Sequence, residues 1–431
     1  MNKIKHLTLA AVFTLLAVFV SLAQNVVLKQ SNADGIYSKG EKVKVSLLVS
    51  EVETDSILVK VDTNFSEKAE WKPIKTPGEE LVLLDERFDK PTSMIFSVKA
   101  GDVVTSTGFV TDPEGFSPAT KRPKDFDRYW NRQKKELRAL AVEIESAPVS
   151  SEAAGFICSD VEINCLGPKP ARGYFAKPEN AAPGSLPIVL YLHAAGVKGH
   201  WCLSRAETAL KYAQMGKGAL SFDLNAHGML NGQPQEYYDG LEEGELNHYW
   251  EVGAGNRDEN YFRGMYLRFL RTLDFLCSQP EWDGKRILVI GESQGGGQTL
   301  AAAGLDNRVS AAVAVVPAMC DFGRTLHDEA GGWPKPFAFS KDQEKMLETY
   351  PYFDAAHIIK GSKATLVIEI GLIDYTCPPT GIYAAINQAK GEKTVLVTPY
   401  RAHALEQKKF QKQWEETIFQ PRLDFINDYL K

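Results

Sequence analysis

The chain contains 431 residues, of which 44% are hydrophobic and 24% are charged, and its formal net charge at pH 7 is −6. This mildly acidic balance argues against nucleic acid or an anionic membrane surface as a partner. Six cysteines are too few for a disulfide scaffold and their spacing matches no zinc-binding pattern, so we expect no metal and interpret most of them as buried thiols. Cys158 and Cys165 are the only pair that lies close in sequence.

The first 23 residues are typical of a secretory signal peptide. Lys3 and Lys5 precede an apolar run over residues 7–20, and SLA ahead of Gln24 is a small-x-small cleavage signal. A membrane anchor is the alternative, but the apolar run is shorter than the ~20 residues that a spanning helix needs. We therefore expect export to the periplasm or the medium, without insertion into the membrane.

Residues 24–112 are predicted to form a small all-β domain with an immunoglobulin-like sandwich. Short runs with β-branched residues and near-alternating polarity recur there between turn residues. The predicted strands are residues 42–50, 56–62, 80–86 and 93–100. The segment offers no catalytic constellation, so we expect it to have a structural role.

A linker and a helix are predicted next. Residues 113–124 contain three prolines and are interpreted as the linker. An amphipathic helix is predicted over residues 125–140, with Asp125 as a candidate N-cap.

From residue 155 onward, apolar strands alternate with helices. This alternation predicts a mostly parallel sheet with helices on both faces. The predicted strands are residues 186–193, 219–224, 287–290, 311–318, 365–371 and 394–399. The predicted helices include residues 203–216 and 262–280.

The sequence GESQG, residues 291–295, fits the pattern G-x-S-x-G and lies between a predicted strand and an alanine-rich helical run. This arrangement is typical of the nucleophile elbow of an α/β-hydrolase, where the serine occupies a strained turn. A phosphate-binding turn is the alternative, but neither G-x-G-x-x-G nor a P-loop lysine is present. We therefore predict an α/β-hydrolase domain over residues 125–431 with Ser293 as its nucleophile.

The base and the acid are predicted from chain order, which in this fold runs serine, acid, histidine. Of the histidines that follow Ser293, only His403 comes directly after the last predicted strand. Asp374 lies in the loop after the preceding strand, whereas Asp342 and Asp354 come before that strand and fit less well. We predict that His403 takes the serine proton and that Asp374 orients the imidazole.

Two backbone N–H groups are needed to stabilise the oxyanion of an acyl-transfer reaction. The residue after the nucleophile, Gln294, is one predicted donor. The other should come from the loop after the strand 186–193, which reads HAAGVKGH. Ala195 is the predicted second donor and Ala194 is the alternative.

Four stretches of the chain are similar to the motifs of one enzyme family. They are PKDFDRYW, PEWDGKRI, GESQGGG and GLIDYTCPPTGIYAAIN, and they lie between residues 123 and 387. On these stretches residues 123–431 resemble the acetyl xylan esterases and cephalosporin C deacetylases, a family of carbohydrate esterases. The resemblance implies a Ser-Asp-His triad at Ser293, Asp374 and His403, no cofactor, an acetylated sugar as substrate and a possible homo-oligomer.

The chain departs from this family pattern at three positions. Residues 225–227 read Asn-Ala-His where the family usually has Arg-Gly-Gln. The oxyanion loop reads His-Ala-Ala at residues 193–195 instead of His-Gly-Tyr, and Ala404 follows His403 in place of glutamate. With the additional β segment before residue 112, these differences indicate a divergent branch.

The leading prediction is a serine esterase that releases acetate from acetylated carbohydrates such as xylan fragments. The alternatives are a broader carboxylesterase or a serine peptidase of the same fold, and a non-catalytic binding protein. Fewer than 100 residues of β structure are too few for the β-propeller that often precedes such peptidases, and an ordered triad argues against a binding protein. Tyr191, Trp201 and Tyr375 are expected to close the acyl side of the pocket and to favour acetate.

Overall fold

The computed structural model describes residues 25–50, 54–151, 153–340 and 342–431. The predicted signal peptide, residues 1–23, lies outside these ranges. Within them, no helix combines the length and the apolar character that a membrane crossing requires.

The first part of the described chain forms two β-sheets that face each other. Its strands are β1 (Asn25–Gln30), β2 (Ile36–Tyr37), β3 (Lys42–Ser50), β4 (Ser56–Thr63), β5 (Lys72–Lys75), β6 (Leu81–Arg87), β7 (Thr92–Ala100) and β8 (Val103–Thr111). One sheet has the strand order β1-β3-β6 and the other has the order β2-β8-β7-β4-β5. Val26 and Leu47 of the first sheet pack against Ile57 and Val98 of the second, so the two sheets share a buried core.

The four strands predicted in this segment are present as β3, β4, β6 and β7, and four further strands were not predicted. The short β5 contains Pro73, which is tolerated because β5 lies at the edge of its sheet. The strand β8 is rich in threonine and serine, so it lacks the apolar run by which the others are recognised.

The segment predicted as a linker, residues 113–124, packs against the rest of the chain. Phe116 is buried, and its ring stacks on Tyr383 with 6.4 Å between the ring centroids. The side-chain amide of Asn387 donates hydrogen bonds to the carbonyls of Pro113 and Phe116 at 2.9 and 3.0 Å. These contacts fix the segment, whereas the proline content alone suggested a free connection.

The predicted helix after this segment is α1 (Phe126–Ala139). Asp125 occupies its N-cap position, but the carboxylate accepts no hydrogen bond from the helix. It accepts instead from the hydroxyl of Tyr352 and, at 3.1 Å, from Arg257. The prediction of Asp125 as the N-cap residue is confirmed in position, but its carboxylate does not cap the helix, because charged and phenolic donors from distant segments bind it.

A nine-stranded sheet forms the centre of the remaining chain. Its strands are β9 (Ile144–Val149), β10 (Phe156–Ile163), β11 (Ala171–Pro178), β12 (Leu186–Leu192), β13 (Leu220–Leu224), β14 (Trp282–Glu292), β15 (Ala311–Val315), β16 (Thr365–Gly371) and β17 (Lys393–Thr398). The strand order is β17-β16-β15-β14-β12-β13-β11-β10-β9. The six strands from β12 to β17 pair in parallel, and β11, β10 and β9 extend the sheet by antiparallel pairing.

Helices connect these strands. They are α2 (Ala206–Ala213), α3 (Gln235–Glu243), α4 (Tyr261–Cys277), α5 (Gln294–Leu305), α6 (Pro336–Phe339), α7 (Gln343–Thr349), α8 (Ala355–Ile358), α9 (Pro379–Ile386), α10 (Gln411–Trp414) and α11 (Gln420–Tyr429). A π-helical turn, Glu415–Phe419, joins α10 to α11. The 3₁₀ turns are Pro113–Gly115, Tyr249–Glu251, Phe322–His327, Tyr350–Tyr352 and Lys408–Phe410.

The helix predicted over residues 203–216 is shorter in the structure, where it is α2. Arg205 is extended, with φ −141°, and its N–H donates to the carboxylate of Asp223 at 2.9 Å. The chain before α2 is therefore fixed by a side chain of β13 and does not continue the helix.

Helices cover both faces of the large sheet. Val189 and Leu288 lie on one face, where Tyr212 of α2 and Ile426 of α11 pack against them. The next residue of the same strand, Leu190, belongs to the larger core that α4 and α5 cover. This alternation follows from the period of two in a strand. The result is a mixed α/β fold with one large sheet, consistent with an α/β-hydrolase-like fold.

The N-terminal sheets contact the loops that follow β16 and β17. The N–H of Gly108 donates to the carbonyl of Pro399 at 2.8 Å, and a Cβ built on Gly108 would lie 2.3 Å from the carbonyl oxygen of Leu372. The hydroxyl of Tyr375 donates to the carboxylate of Asp62 at 2.7 Å. Strands β4 and β8 therefore support both loops.

We expect Gly108→Ala to destabilise the protein, because the new methyl group would overlap the Leu372 carbonyl unless the loop moves. Overpacking of this kind costs about 1–3 kcal/mol of unfolding free energy. The measurement is the midpoint of denaturant unfolding. Gly78→Ala is the matched control, because nothing lies within 4 Å of a Cβ at that position. Equal midpoints for the two variants would contradict the close contact.

Candidate active site

Ser293 is the turn residue between β14 and α5. Its backbone dihedrals are φ 55° and ψ −118°, a strained conformation for a residue with a Cβ. The N–H of Ser293 donates to the carbonyl of Val315 at 2.9 Å, and its carbonyl accepts from the N–H groups of Gly297 and Ala318, both at 2.9 Å. Backbone hydrogen bonds on both sides therefore hold the turn.

Gly291 and Gly295 allow the backbone segments around this turn to approach each other. A Cβ on Gly291 would lie 2.3 Å from the carbonyl oxygen of Gly295, and a Cβ on Gly295 would lie 2.1 Å from that of Leu192. Both distances are shorter than any real contact. The structure thus supplies the steric reason for glycine at both positions of the motif.

The three residues predicted from chain order meet at the ends of the parallel strands β14, β16 and β17. Ser293 Oγ lies 2.9 Å from Nε2 of His403, and Nδ1 of His403 lies 2.8 Å from Oδ2 of Asp374. Asp374 is fully buried, and its other oxygen accepts from the N–H groups of Thr376 and Cys377 at 2.8 and 2.9 Å. These two bonds orient the carboxylate toward the imidazole, so the geometry suits proton transfer from the serine hydroxyl.

Arg401 connects the histidine loop to one exposed carboxylate and one buried carboxylate. Its Nη2 lies 3.3 Å from the carbonyl oxygen of His403 and 3.3 Å from a carboxylate oxygen of Glu292. Its Nη1 pairs with Glu369, which is fully buried on β16. The backbone of His403 is therefore linked to the sheet through one guanidinium.

Glu369 has further partners that bring the C-terminal helices to this loop. Arg422 of α11 pairs with its second oxygen, and Nε1 of Trp414 donates to the first at 2.7 Å. A buried carboxylate is stable only when its oxygens are paired in this way. None of these residues was predicted, although a glutamate inside the apolar strand TLVIEIG was a visible signal.

The predicted oxyanion donors come from two segments, the start of α5 and the loop after β12. Gln294 is the first residue of α5, so its N–H has no acceptor within the helix. Ala194 and Ala195, in the loop after β12, line the cavity together with Ser293. The structure brings both alanines to the cavity and does not separate the two alternatives for the second donor.

Two histidines outside the triad support the loop that contains Ala195. His193 is buried, with Nε2 against the carboxylate of Asp223 and Nδ1 3.3 Å from the carbonyl oxygen of Trp201. His227 is also buried, with Nε2 2.9 Å from the carbonyl oxygen of Gly196. The loop is thus held at its beginning, at Gly196 and at Trp201.

Residues 225–227, which differ from the family pattern, therefore act beneath the cavity rather than in it. Nδ1 of His227 lies 2.7 Å from the hydroxyl of Tyr261, and Arg268 donates two hydrogen bonds to the carbonyl of Ala226 at 2.6 and 3.1 Å. Burial, and then the charge of Arg268, lowers the pKa of His227 to about 3. His227 is neutral at physiological pH, so it can donate to Gly196 and accept from Tyr261.

The cavity in front of Ser293 has a volume of about 620 Å³. Its lining residues are Tyr191, Ala194, Ala195, Trp201, Glu292, Ser293, Trp333, Thr376, His403 and Ala404. Two of the three aromatic residues expected at the pocket, Tyr191 and Trp201, are among them. Tyr375 is not, because its ring packs on Phe65 and its hydroxyl binds Asp62. Trp333 was not predicted.

One group of possible metal ligands occurs among the residues that the structure describes. The ligand atoms of Asp374, Cys377 and His403 all lie within 4.8 Å of one another. Asp374 and His403 are already hydrogen-bonded to each other, and burial raises the pKa of the Cys377 thiol well above its ordinary value. A protonated thiol is a poor ligand, so this arrangement favours an acid–base pair over a metal site.

The chain is similar to proteins of one family. The family model for acetyl xylan esterase (AXE1) matches residues 111–420. The acetyl esterase Axe7A of Xylanibacter ruminicola is 28% identical over 432 residues, which cover 93% of this chain and 94% of that protein. This similarity extends over the N-terminal β-strands as well as the large sheet.

Two solved structures resemble the larger part of the chain. The acetyl xylan esterase from Paenibacillus sp. R4 is 28% identical with a TM-score of 0.60, covering 74% of this chain and 98% of that one. Acetyl xylan esterase 1 from Thermoanaerobacterium sp. JW/SL YS485 covers the same shares, with 21% identity and a TM-score of 0.56, and supports the fold alone.

We expect His227 to make the protein less stable in acid. Its folded pKa of about 3 lies below the unfolded value of 6.5, so between these two pH values the unfolded chain binds this proton and the folded chain does not. At pH 5 this linkage lowers the unfolding free energy by about 2 kcal/mol. His227→Gln removes the titration, so its urea midpoint should fall less between pH 7.5 and pH 5 than that of the wild type.

The comparison between variants is needed because other buried groups act in the opposite direction. Burial, and then the neighbouring Asp321, raises the pKa of Asp354, so the folded protein binds that proton more tightly than the unfolded chain does and gains stability from it as pH falls. This contribution is common to the wild type and His227→Gln and cancels in the difference. If the urea midpoints of the wild type and His227→Gln fell by the same amount between pH 7.5 and pH 5, His227 would be protonated in the folded state.

Proposed function

The chain belongs to the acetyl xylan esterase family and is a carboxylic ester hydrolase, and from this we propose that it releases acetate from acetylated carbohydrates through an acyl-enzyme on Ser293. Xylan-derived oligosaccharides and acetylated cephalosporins are the substrate types that the family resemblance favours. The proposal needs no metal or other cofactor.

One observation carries the serine mechanism. Nε2 of His403 lies 2.9 Å from the serine oxygen while Nδ1 lies 2.8 Å from Asp374. Because Asp374 accepts from Nδ1, the neutral imidazole keeps its lone pair on Nε2, facing the hydroxyl. Ser293 is only 7% exposed but borders the cavity, so a substrate reaches it from one side.

In the first half-reaction, Ser293 Oγ attacks the acetyl carbonyl carbon while its proton passes to Nε2 of His403. The carbonyl oxygen becomes negative and accepts from the backbone N–H groups of Gln294 and of Ala195, or of Ala194 as the alternative. Asp374 stabilises the imidazolium. When the tetrahedral intermediate collapses, the C–O bond to the sugar breaks and the leaving alkoxide takes the proton from His403.

In the second half-reaction, water replaces the sugar. His403 accepts a proton from the water as its oxygen attacks the acetyl-serine carbon. The same oxyanion donors act again. Collapse of the second intermediate breaks the bond to Ser293 Oγ, which recovers its proton from His403, and acetic acid leaves as acetate.

The strand positions support an α/β-hydrolase fold for this part of the chain. Ser293 follows β14, Asp374 follows β16 and His403 follows β17, which is the chain order of that fold. For residues 24–112 we retain the proposal of an immunoglobulin-like domain, which the two facing sheets support.

We expect Ser293→Ala and His403→Ala to lower kcat by about 10⁴-fold or more, because each removes a member of a unit that acts together. Asp374→Asn should cost somewhat less, since it keeps the shape but offers an amide N–H to the imidazole. The measurement is acetate release from a chromogenic acetate ester.

Ser185→Ala is the matched control, because Ser185 is an exposed serine that is not among the residues lining the cavity. All variants should show the same circular dichroism spectrum as the wild type. Near-normal turnover by folded Ser293→Ala would refute the serine mechanism. The family membership would stand.

Acetate esters should react at least about tenfold faster in kcat/KM than butyrate esters of the same alcohol. Tyr191 and Trp333 border the cavity near Ser293, and each methylene that does not fit costs about 1–3 kcal/mol. The assay compares the two esters under identical conditions. Equal or faster reaction of butyrate would favour the broader carboxylesterase.

A further inference from the structure

Trp201 stands out at the mouth of the cavity. It is 65% exposed, more than any other large hydrophobic residue in the described part of the chain. It nevertheless lines the same cavity as Ser293. A side chain so exposed cannot form the closed wall of an acyl pocket, so the position predicted for it on the acyl side does not fit.

The indole of Trp201 is fixed in place. Its Nε1 donates a hydrogen bond to the carbonyl of Ala195 at 2.8 Å. The ring lies against the backbone of Gly199, where a Cβ would come within 2.5 Å of the indole carbon Cζ2. The backbone carbonyl of Trp201 faces Nδ1 of His193. The ring is therefore held before any substrate arrives.

Lys198 also fastens this loop. Its ammonium group lies 2.8 Å from Glu242 and 3.4 Å from Asp239, both on α3. Such exposed ion pairs contribute little to stability, but they limit the range of loop positions. The loop from Ala195 to Trp201 is thus attached to the sheet at one end and to a helix in the middle.

These contacts leave the apolar surface of a rigid ring facing solvent. Because the indole N–H is already paired, the exposed atoms offer no hydrogen-bond donor and water gains little from contact with them. A partner that covers the ring without needing a donor is favoured. A sugar ring has this property, since its axial C–H groups form an apolar face while its hydroxyls point outward at the rim.

We propose that Trp201 is a stacking platform for the sugar ring that bears, or adjoins, the acetyl group. This inference rests on the proposed function and specifies where the alcohol part of the substrate lies. Trp201 donates a hydrogen bond to the backbone of Ala195. The ring that binds the sugar and the loop that faces the reacting carbonyl are therefore held in one fixed arrangement.

The test compares two acetate esters that differ only in the alcohol part. One is an acetylated xylo-oligosaccharide and the other is ethyl acetate, which has no ring to stack. We expect Trp201→Ala to lower the ratio of kcat/KM for the oligosaccharide to kcat/KM for ethyl acetate by about tenfold, mainly through KM. Trp201→Phe keeps a flat ring and should retain most of this ratio.

Trp71→Ala is the matched control. Trp71 is 38% exposed and is not among the residues that line the cavity, so its removal should leave the ratio unchanged. Light scattering on the wild type and Trp201→Ala should give the same mass. A change in mass would show that a second copy of the chain covers the ring, which would overturn the proposal.

Equal losses of kcat/KM on both esters in Trp201→Ala would also overturn the proposal, since they would mean that Trp201 only supports the Ala195 loop. A wild-type protein that cleaves ethyl acetate but not acetylated sugars would contradict the proposed substrate class itself. The two failures are distinct, because the first appears only in the variants and the second already in the wild type.

Discussion

The positive φ of Ser293 is the constraint on which the candidate site depends. A strained residue of this kind costs about 1–3 kcal/mol and persists only where the surrounding structure fixes it. Here the surroundings are backbone groups of Val315, Gly297 and Ala318, which bond to Ser293 on both sides. Gly295 has no room for a Cβ, because the carbonyl groups of Leu192 and His193 approach it closely. The large sheet, and not a movable loop, therefore sets the position of the serine oxygen.

Asp374 and His403, the proposed acid and base, are held by charge and hydrogen bonding instead of backbone strain. Two backbone N–H groups orient Asp374, while Arg401 connects the His403 carbonyl to Glu369 inside the sheet. Removal of one partner from such a buried pair leaves an uncompensated charge, so the network is stable only as a whole. The strands β14, β16 and β17 lie close together in the sheet, which brings these different supports to one edge.

Local patterns predicted much of this structure, and long-range contacts account for the rest. Apolar runs indicated the parallel strands, and chain order indicated Ser293, Asp374 and His403. In the structure, hydrogen bonds connect His403 to both of the other two residues. The roles of Glu369 and Arg401 were missed, because a charged residue in a strand reveals that it has a partner but not which one. The position of Tyr375 was missed for the same reason, since its partner lies in another sheet.

The contacts between the N-terminal sheets and the loops that contain Asp374 and His403 also affect how the protein is assembled. Tyr375 and its partner Asp62 are 313 residues apart, and Gln407 and its partner Ser106 are 301 residues apart. During synthesis from the N-terminus, β1–β8 are complete long before either loop exists. Contacts of such large sequence separation form late and slowly. The nascent chain therefore contains all of β1–β8 through most of its synthesis, whereas the candidate site can be complete only after the last strand, β17, has joined the sheet.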